Sequence, residues 1–273
     1  MADPTVDRLI DGERELSKLA GELEAVVKDD DYFKAVLALG HRARSIFWCL
    51  IVALEGPTPA AAMSLLRPRV EINLLLRFLG RDPDLHVALW IAEGQRQILA
   101  FMNEFESDAY LQERWRAEPF DPQLKEHLKR EVEDARRKGL AAGAPGVRPT
   151  GSLLPGARAM VDYLDDPGAR EAYTVAYRSL GADVHAGTYA FSRGEFVARV
   201  GGRVSFHEAV DAETYLPART LSLTMFASTL CIVASVLRLP IADAADEVKR
   251  RFVEEELPIA ERIRGSQEGR TGS

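Results

Sequence analysis

The chain has 273 residues, of which 47% are hydrophobic and 28% charged, a composition typical of a globular protein with a sizeable core. Its formal net charge of −7 excludes a general attraction of the whole molecule to nucleic-acid backbones or anionic membranes. Cys49 and Cys231 form no cysteine framework, and the charged N-terminus does not resemble a signal peptide. These features predict a cytoplasmic protein in which each thiol acts as a small hydrophobe.

The chain opens with two predicted helices. Apolar residues recur at helical spacing over residues 4–28, with charges between them, as on an amphipathic surface helix. Three aspartates at 29–31 supply a cap and an acidic first turn for a second helix that runs to about Glu55. The second half of this helix, 46–54, is almost wholly apolar and is predicted to pack deeply.

A third helix is predicted over residues 58–80. Thr58 suits the N-cap, the following proline suits the first turn, and Gly80 is a suitable C-terminal stop. Pro68 lies inside this helix and predicts a kink, because its ring nitrogen cannot donate to the carbonyl of Ser64. Apolar residues dominate the segment, so the helix is predicted to be central.

Two charged residues interrupt this apolar helix. Arg67 and Glu71 lie one helical turn apart and share a face. As a structural feature they would form a buried ion pair that fixes helix register. As a functional feature, Glu71 would orient a catalytic histidine or arginine. Both interpretations predict strong destabilisation when one partner is removed.

The middle of the chain predicts a fourth helix over 85–105 and a short piece near 110–117. Asp121 and Pro122 then give an N-cap and a first-turn proline for a mostly solvated helix. Residues 139–156 are crowded with glycine and proline and predict a long loop. We interpret this loop as a connection within one domain, with a domain linker as the alternative.

The second half of the chain predicts further helices and one segment in which apolar residues alternate as in a β-strand. Asp166 is the expected cap of a helix over 167–177. Residues 195–207 alternate around two adjacent glycines and predict a single small β-hairpin. Helices resume at 211–216, 220–237 and from about Ala242, and residues 263–273 are expected to be a disordered tail.

The segment 220–237 contains no charge and is about long enough to cross a bilayer. Six of its residues are serine or threonine, and a fully buried core helix has the same appearance. We therefore interpret it as a core helix and expect no membrane association. A membrane span and an oligomer interface are the alternatives.

Common catalytic and binding motifs are missing from the sequence. There is no HExxH pair, no Cys/His cluster, no phosphate-binding glycine loop, no GxSxG elbow and no DNA-specific motif. The sequence thus predicts neither a metal site nor a cofactor. Its histidines are scattered, at His41, His86, His127, His185 and His207.

Arg178 and His185 form the strongest candidate for chemistry. They are seven residues apart, nearly two helical turns, so they share a face if the helix persists, and Gly181 between them would leave a hollow. Such a pair can cleave a phosphodiester without a metal, with the histidine as general acid or base and the arginine stabilising charge at phosphorus. The structural alternative is that Gly181 ends the helix and His185 is a hydrogen-bonded core histidine.

Two segments, LLRPRVEINLLLRFL and YRSLGADVHAG, resemble the bacterial all-helical family catalogued as domain of unknown function 5677. The likeness covers roughly residues 35–239. It implies an all-helical fold with Arg67, Glu71 and His185 as the family-type polar positions, and it implies no activity, because none is assigned to the family.

The segment RSLGADVH also resembles the Arg-x(4 to 6)-His motif of the HEPN superfamily, which includes metal-independent ribonucleases that work as dimers. The likeness implies Arg178 and His185 as the catalytic pair. Ser179 departs from the larger polar residue common after the arginine, and this chain is more acidic and longer than a minimal HEPN unit.

Together these patterns predict an all-α, multi-helix bundle of about eight or nine helices with one small β-hairpin. They predict one helical domain over 1–262, a cytoplasmic homodimer, and RNA as a candidate partner. The functional hypothesis is a HEPN-like, metal-independent ribonuclease of a defence or toxin-antitoxin kind, acting through Arg178, His185, Glu71 and Arg67. The alternative is a non-enzymatic helical scaffold or small-ligand-binding protein.

Overall fold

The structure of the protein is a computed structural model, and it describes residues 4–21, 30–55, 59–115, 120–174, 198–200, 203–205 and 212–255. These residues are overwhelmingly helical, which confirms the all-α fold class. The helices are α1 Pro4–Gly21, α2 Asp31–Glu55, α3 Pro59–Arg81, α4 Pro83–Ser107, α5 Ala109–Trp115, α6 Pro122–Ala141, α7 Ala157–Leu164, α8 Pro167–Ala172, α9 Ala212–Leu237 and α10 Ala242–Glu255.

Two short strands, β1 Ala198–Val200 and β2 Arg203–Ser205, pair antiparallel with Ala198 opposite Ser205. The hairpin predicted over 195–207 extends beyond the described residues and stays a prediction. The predicted tail at 263–273 lies outside them as well.

Aspartate side chains begin several helices as the sequence predicts. The Asp121 carboxylate accepts from the Gln123 backbone N–H at 2.8 Å, and Asp166 accepts from Ala169 at 2.8 Å. Each cap precedes a proline, whose missing N–H needs no partner in the first turn. Asp82 caps α4 in the same way, so that helix begins at Pro83, two residues earlier than predicted.

The sequence does not predict helix α7. Its N-cap is Gly156, which has no side chain to cap it, and the helix is only eight residues long. Asp165 ends it in a left-handed conformation at φ 48°. The start signals that revealed α6 and α8 are therefore absent here.

The described residues form two compact units. Unit 1 comprises the described residues within Met1–Arg77 and Asp166–Ser273, and unit 2 comprises the described residues within Phe78–Asp165. The single domain over 1–262 stays a prediction. Helix α3 runs through Pro68 as one helix, and the division between the units falls near its C-terminal end.

The core of unit 1 is built on α9. The rings of Phe226 on α9 and Phe47 on α2 stack with centroids 4.3 Å apart, and both side chains are fully buried. Arg219 of α9 forms a bidentate ion pair with Glu13 of α1. Both hydrogen bonds are 2.5 Å long, and both side chains are buried. An ion pair this deep stabilises the unit only while both partners are present.

Unit 2 pairs α4 with α6 and wraps residues 142–156 against them. The loop begins three residues later than predicted because α6 continues to Ala141. Gly139 is buried within α6, at a position where a Cβ atom would meet the side chain of Leu89. The Arg136 guanidinium donates to the backbone carbonyls of Arg148 at 2.6 Å and Gly151 at 2.9 Å. The Arg136 side chain thus fastens the loop to α6.

Glu93 on α4 is the second fastening of the loop. Its buried carboxylate accepts from Arg96, from Gln97 and from the Leu153 backbone N–H at 2.8 Å. Burial raises the pKa of Glu93, but the hydrogen bonds from Arg96, Leu153 and Gln97 outweigh it and hold the pKa at about 2, below the usual 4.5.

Because the folded-state pKa of Glu93 is depressed, its contribution to stability is complete above about pH 4.5 and is lost as the pH falls towards about 2. We expect Glu93→Gln to lower the free energy of unfolding at pH 7 by about 2 kcal/mol and to flatten its pH dependence in that window. Urea unfolding at pH 7 and pH 3 measures both effects. Glu104→Gln, an exposed change on the same helix, is the matched control, and equal stability of the two variants at pH 7 would contradict this role.

Candidate functional site

Helix α3 presents polar residues on two opposite faces. Arg67 and Glu71 lie on one face, whereas Arg69, Asn73 and Arg77 recur every four residues on the other. The first pair is the one that the sequence predicts as part of a site. The second set was not predicted as a site.

Arg67 and Glu71 form the expected ion pair, with 3.2 Å between Arg67 Nε and Glu71 Oε1. Their side chains are 23% and 46% exposed, so the structural alternative, a buried ion pair, is wrong. Glu71 is exposed and Arg67 is partly buried. An exposed pair at this spacing stabilises a helix by only about 0.3–0.5 kcal/mol, which removes the register-fixing role but leaves the residues accessible.

Arg178 and His185, the predicted catalytic pair, lie outside the described residues. Their meeting with Arg67 and Glu71 therefore stays a prediction.

On the opposite face of α3, Arg77 is fully engaged within unit 1. Its guanidinium donates to Asn73 Oδ1 at 2.9 Å, to Asp166 Oδ2 at 3.1 Å and to Ser228 Oγ at 3.0 Å. Asp166 therefore caps α8 and neutralises Arg77 at the same time. The arginine joins α3, α8 and α9.

Asn73, one turn earlier, is 1% exposed. Its amide nitrogen donates to Ser228 Oγ at 3.3 Å and to Thr229 Oγ1 at 3.2 Å, both on α9. Its oxygen accepts from Arg77, so each end of the amide has a partner. This explains why an apolar helix such as α9 carries hydroxyl residues in its middle. Their oxygens accept hydrogen bonds from the buried polar side chains of α3.

Arg69, one turn earlier again, is only 2% exposed and has a different environment. Its Nη1 donates to Ser222 Oγ at 3.2 Å, while Nε and Nη2 are buried without a hydrogen-bond partner among the described residues. Its Cζ lies 5.1 Å from the ring centroids of both Phe47 and Phe226. Burial lowers the pKa of Arg69 to about 9, so the group is still charged at pH 7.

His86 is a buried histidine with a structural role in unit 2. Its Nδ1 lies 2.6 Å from the Phe78 backbone oxygen, and its ring stacks on Phe78 with centroids 3.9 Å apart. Over the part of the chain that the structure describes, no group of three or more His, Cys, Asp or Glu side chains could hold a metal ion.

The two cysteines differ from each other. Cys49 is exposed on α2, so the expectation that it packs as a small hydrophobe is wrong. Cys231 is partly buried on α9, and burial, followed by the charge of Asp246, raises the pKa of its thiol to about 11. A thiol with so high a pKa is a poor nucleophile at neutral pH.

Two helices are long and apolar enough to cross a membrane by length and composition, at Asp31–Ala53 and Arg219–Leu237. The second matches the segment singled out in the sequence, and 61% of it is buried inside the structure. Buried core helices of soluble proteins pass the same test. The absence of membrane association stays a prediction.

Comparison with known proteins found no matching family model, no matching curated protein and no matching solved structure. The resemblances to the family of unknown function 5677 and to the HEPN superfamily therefore stay predictions.

The Asn73 side chain is expected to be essential to unit 1, because its removal leaves Arg77 and two buried hydroxyls with fewer partners. We expect Asn73→Ala to lower the free energy of unfolding by about 2 kcal/mol, measured by urea unfolding. Asn103→Ala, at an exposed position of α4, is the control and is expected to change it by less than about 0.5 kcal/mol. Equal effects of the two substitutions would contradict the assignment.

Proposed function

We propose that the protein is an RNA-directed helical protein that cleaves RNA without a metal ion, in the manner of a HEPN-like ribonuclease of a defence or toxin-antitoxin system. The observation that carries the proposal is the seven-residue separation of Arg178 and His185. An imidazole that titrates near neutrality and a permanent cation are the two groups that this chemistry needs.

In the proposed reaction His185 takes the proton from a ribose 2′-hydroxyl as that oxygen attacks the adjacent phosphorus. The bond from phosphorus to the 5′-oxygen breaks, the leaving oxygen gains a proton from the protonated histidine or water, and a 2′,3′-cyclic phosphate remains. Arg178 stabilises the charge that develops on the phosphoryl oxygens. No metal or cofactor takes part in these steps.

Arg67 and Glu71 are assigned a supporting role in this proposal. The exposure of Glu71 supports it, because a carboxylate at the surface of α3 can meet RNA or a neighbouring side chain. Glu71 would orient His185 or Arg178. A cytoplasmic homodimer is the proposed form of the protein, and one hairpin over 195–207 is proposed, supported by the antiparallel pairing of β1 and β2.

A second candidate is a non-enzymatic helical scaffold or ligand-binding protein. The observation that favours it is the buried polar face of α3, where Asn73 and Arg77 are engaged by α9 and α8. In that case the polar residues specify packing or meet a small ligand, and His185 contributes to stability alone.

The nuclease proposal predicts that the purified protein cleaves single-stranded RNA in the presence of a chelator and leaves cyclic phosphate ends. We expect His185→Ala to reduce the rate by roughly 10²-fold or more. His127→Ala, an exposed histidine of α6, is the matched control and is expected to keep the wild-type rate. A DNA strand of the same sequence lacks the attacking hydroxyl and is expected to stay intact.

Glu71→Gln tests the supporting role without unfolding the protein, because an exposed ion pair contributes less than about 1 kcal/mol. We expect this variant to melt with the wild type and to cleave more slowly. If wild type and His185→Ala cleave equally, or neither cleaves, the nuclease proposal fails. A large loss of melting temperature in His185→Ala, with no activity to lose, would support the scaffold.

A further inference from the structure

The outward face of α4 in unit 2 is apolar, which is unusual for a helix at a protein surface. On the opposite face of α4, Leu89 and Ala92 pack in the core of the unit with residues of α6. A surface helix ordinarily carries polar residues opposite its core face. Helix α6 follows this rule, because Lys129, Arg130 and Glu133 are all exposed. Helix α4 does not.

The outward face of α4 carries an apolar stripe, which consists of Ile91, Gly94, Ile98, Phe101 and Phe105. Alternating steps of three and four residues keep the stripe on one side of the helix over about 21 Å. Ile91, Ile98 and Phe101 are 40%, 48% and 58% exposed. A Cβ added at Gly94 would meet nothing within 4 Å, so the stripe faces open space there. A contiguous exposed apolar surface of this kind marks a site of protein contact.

Ring contacts fix the C-terminal end of the apolar stripe. The centroid of the Phe101 ring lies 5.9 Å from that of Phe105 and 6.3 Å from that of Phe120. The Phe120 backbone N–H donates to Glu106 at 3.3 Å, and Glu106 accepts in turn from Lys125 at 2.7 Å. Phe101 is therefore an exposed ring in a fixed position, and its burial against a partner costs little side-chain entropy.

The apolar stripe carries no charge. From Ile91 to Phe101 the only charged residues in the sequence are Glu93 and Arg96. Glu93 is buried on the core side of α4, and Arg96 pairs with it at 2.7 Å. A charged partner would find no opposite charge to match on the stripe, whereas two copies of the stripe can meet without repulsion between like charges.

From these observations we propose that the apolar stripe binds the same stripe of a second copy of the chain, about a two-fold axis beside Ile98. Gly94 lies four residues before Ile98 and Phe101 lies three residues after it. With the two α4 helices antiparallel, Phe101 of each copy therefore lies over Gly94 of the other. A bulky ring meets the position that has no side chain, so the helices can approach closely. The inference rests on the proposed function only for the homodimer, whose contact surface it names.

The size of the apolar stripe sets the expected strength of association. A stable dimer buries about 800 Å² per copy, and about four turns of one helix offer less than that. We therefore expect weak self-association, with a Kd on the order of 10 μM. Since apolar burial drives it, added NaCl is expected not to weaken it.

Sedimentation velocity of the full chain without RNA, from about 1 to about 500 μM, tests the proposal. We expect a monomer at the lowest concentration and a dimer at the highest. Ile98→Glu places two carboxylates beside the axis and is expected to weaken association at least about 100-fold, while the monomer stays folded because this position is half exposed. Val52→Glu charges an exposed apolar residue of α2 in unit 1, and this matched control is expected to associate as the wild type does.

Gly94→Leu separates the contact from folding. In the monomer a leucine replaces a mid-helix glycine in open space, so we expect a higher melting temperature at low protein concentration. In the dimer the leucine occupies the space of Phe101, so we expect about tenfold weaker association. Unchanged or tighter association would overturn the placement of Phe101 over Gly94.

A wild-type chain that stays monomeric at about 500 μM would overturn the proposal in favour of a different protein partner. Equal association of Ile98→Glu and the wild type would place the contact elsewhere, and assembly beyond a dimer would exclude the two-fold axis. A dimer that does not cleave RNA would refute the nuclease proposal alone, whereas a monomer that cleaves RNA would refute this inference alone.

Discussion

Positive charge on one face of α3 is the constraint that organises unit 1. Arginine cannot be left in an apolar interior without partners, and Arg77 obtains them from three different elements of the chain. Asp166 caps α8 and forms an ion pair with Arg77, so one carboxylate both begins α8 and holds its start against α3. Arg69 lies two turns away under the same constraint and is less completely satisfied.

This arrangement accounts for the composition of α9. The helix is uncharged over residues 220–237, yet it carries hydroxyls that would be unnecessary in a purely apolar core. Ser222, Ser228 and Thr229 each accept from α3. This segment resembles a membrane span by hydropathy. Within this structure it is a core helix whose hydroxyl groups accept hydrogen bonds from α3.

Local signals in the sequence were sufficient where one side chain decides the structure. Asp121 and Asp166 predicted helix starts because a carboxylate next to a first-turn proline satisfies backbone donors by itself. Helix α7 has no such signal, since Gly156 cannot cap it. Its residues become helical by burying Met160, Val161 and Leu164, which depends on packing and not on a local motif.

The candidate site shows where sequence reasoning is insufficient. In a helix that is apolar on nearly all sides, periodicity does not identify which polar pair is buried, and Arg67 with Glu71 was selected although Arg69 and Asn73 are the buried residues. The four-residue recurrence of the buried set was visible in the sequence. Its partners on α9 are more than 150 residues away, and only the fold brings them together.

The most direct test of the central claim is the ¹⁵N–¹H spectrum of the arginine Nε–H groups near neutral pH. The structure predicts a resonance for Arg69 that exchanges slowly with water and is missing from Arg69→Lys. If the resonance lost in Arg69→Lys exchanges as fast as that of the exposed Arg158, Arg69 is not a buried cation and this face of α3 is not packed against α9.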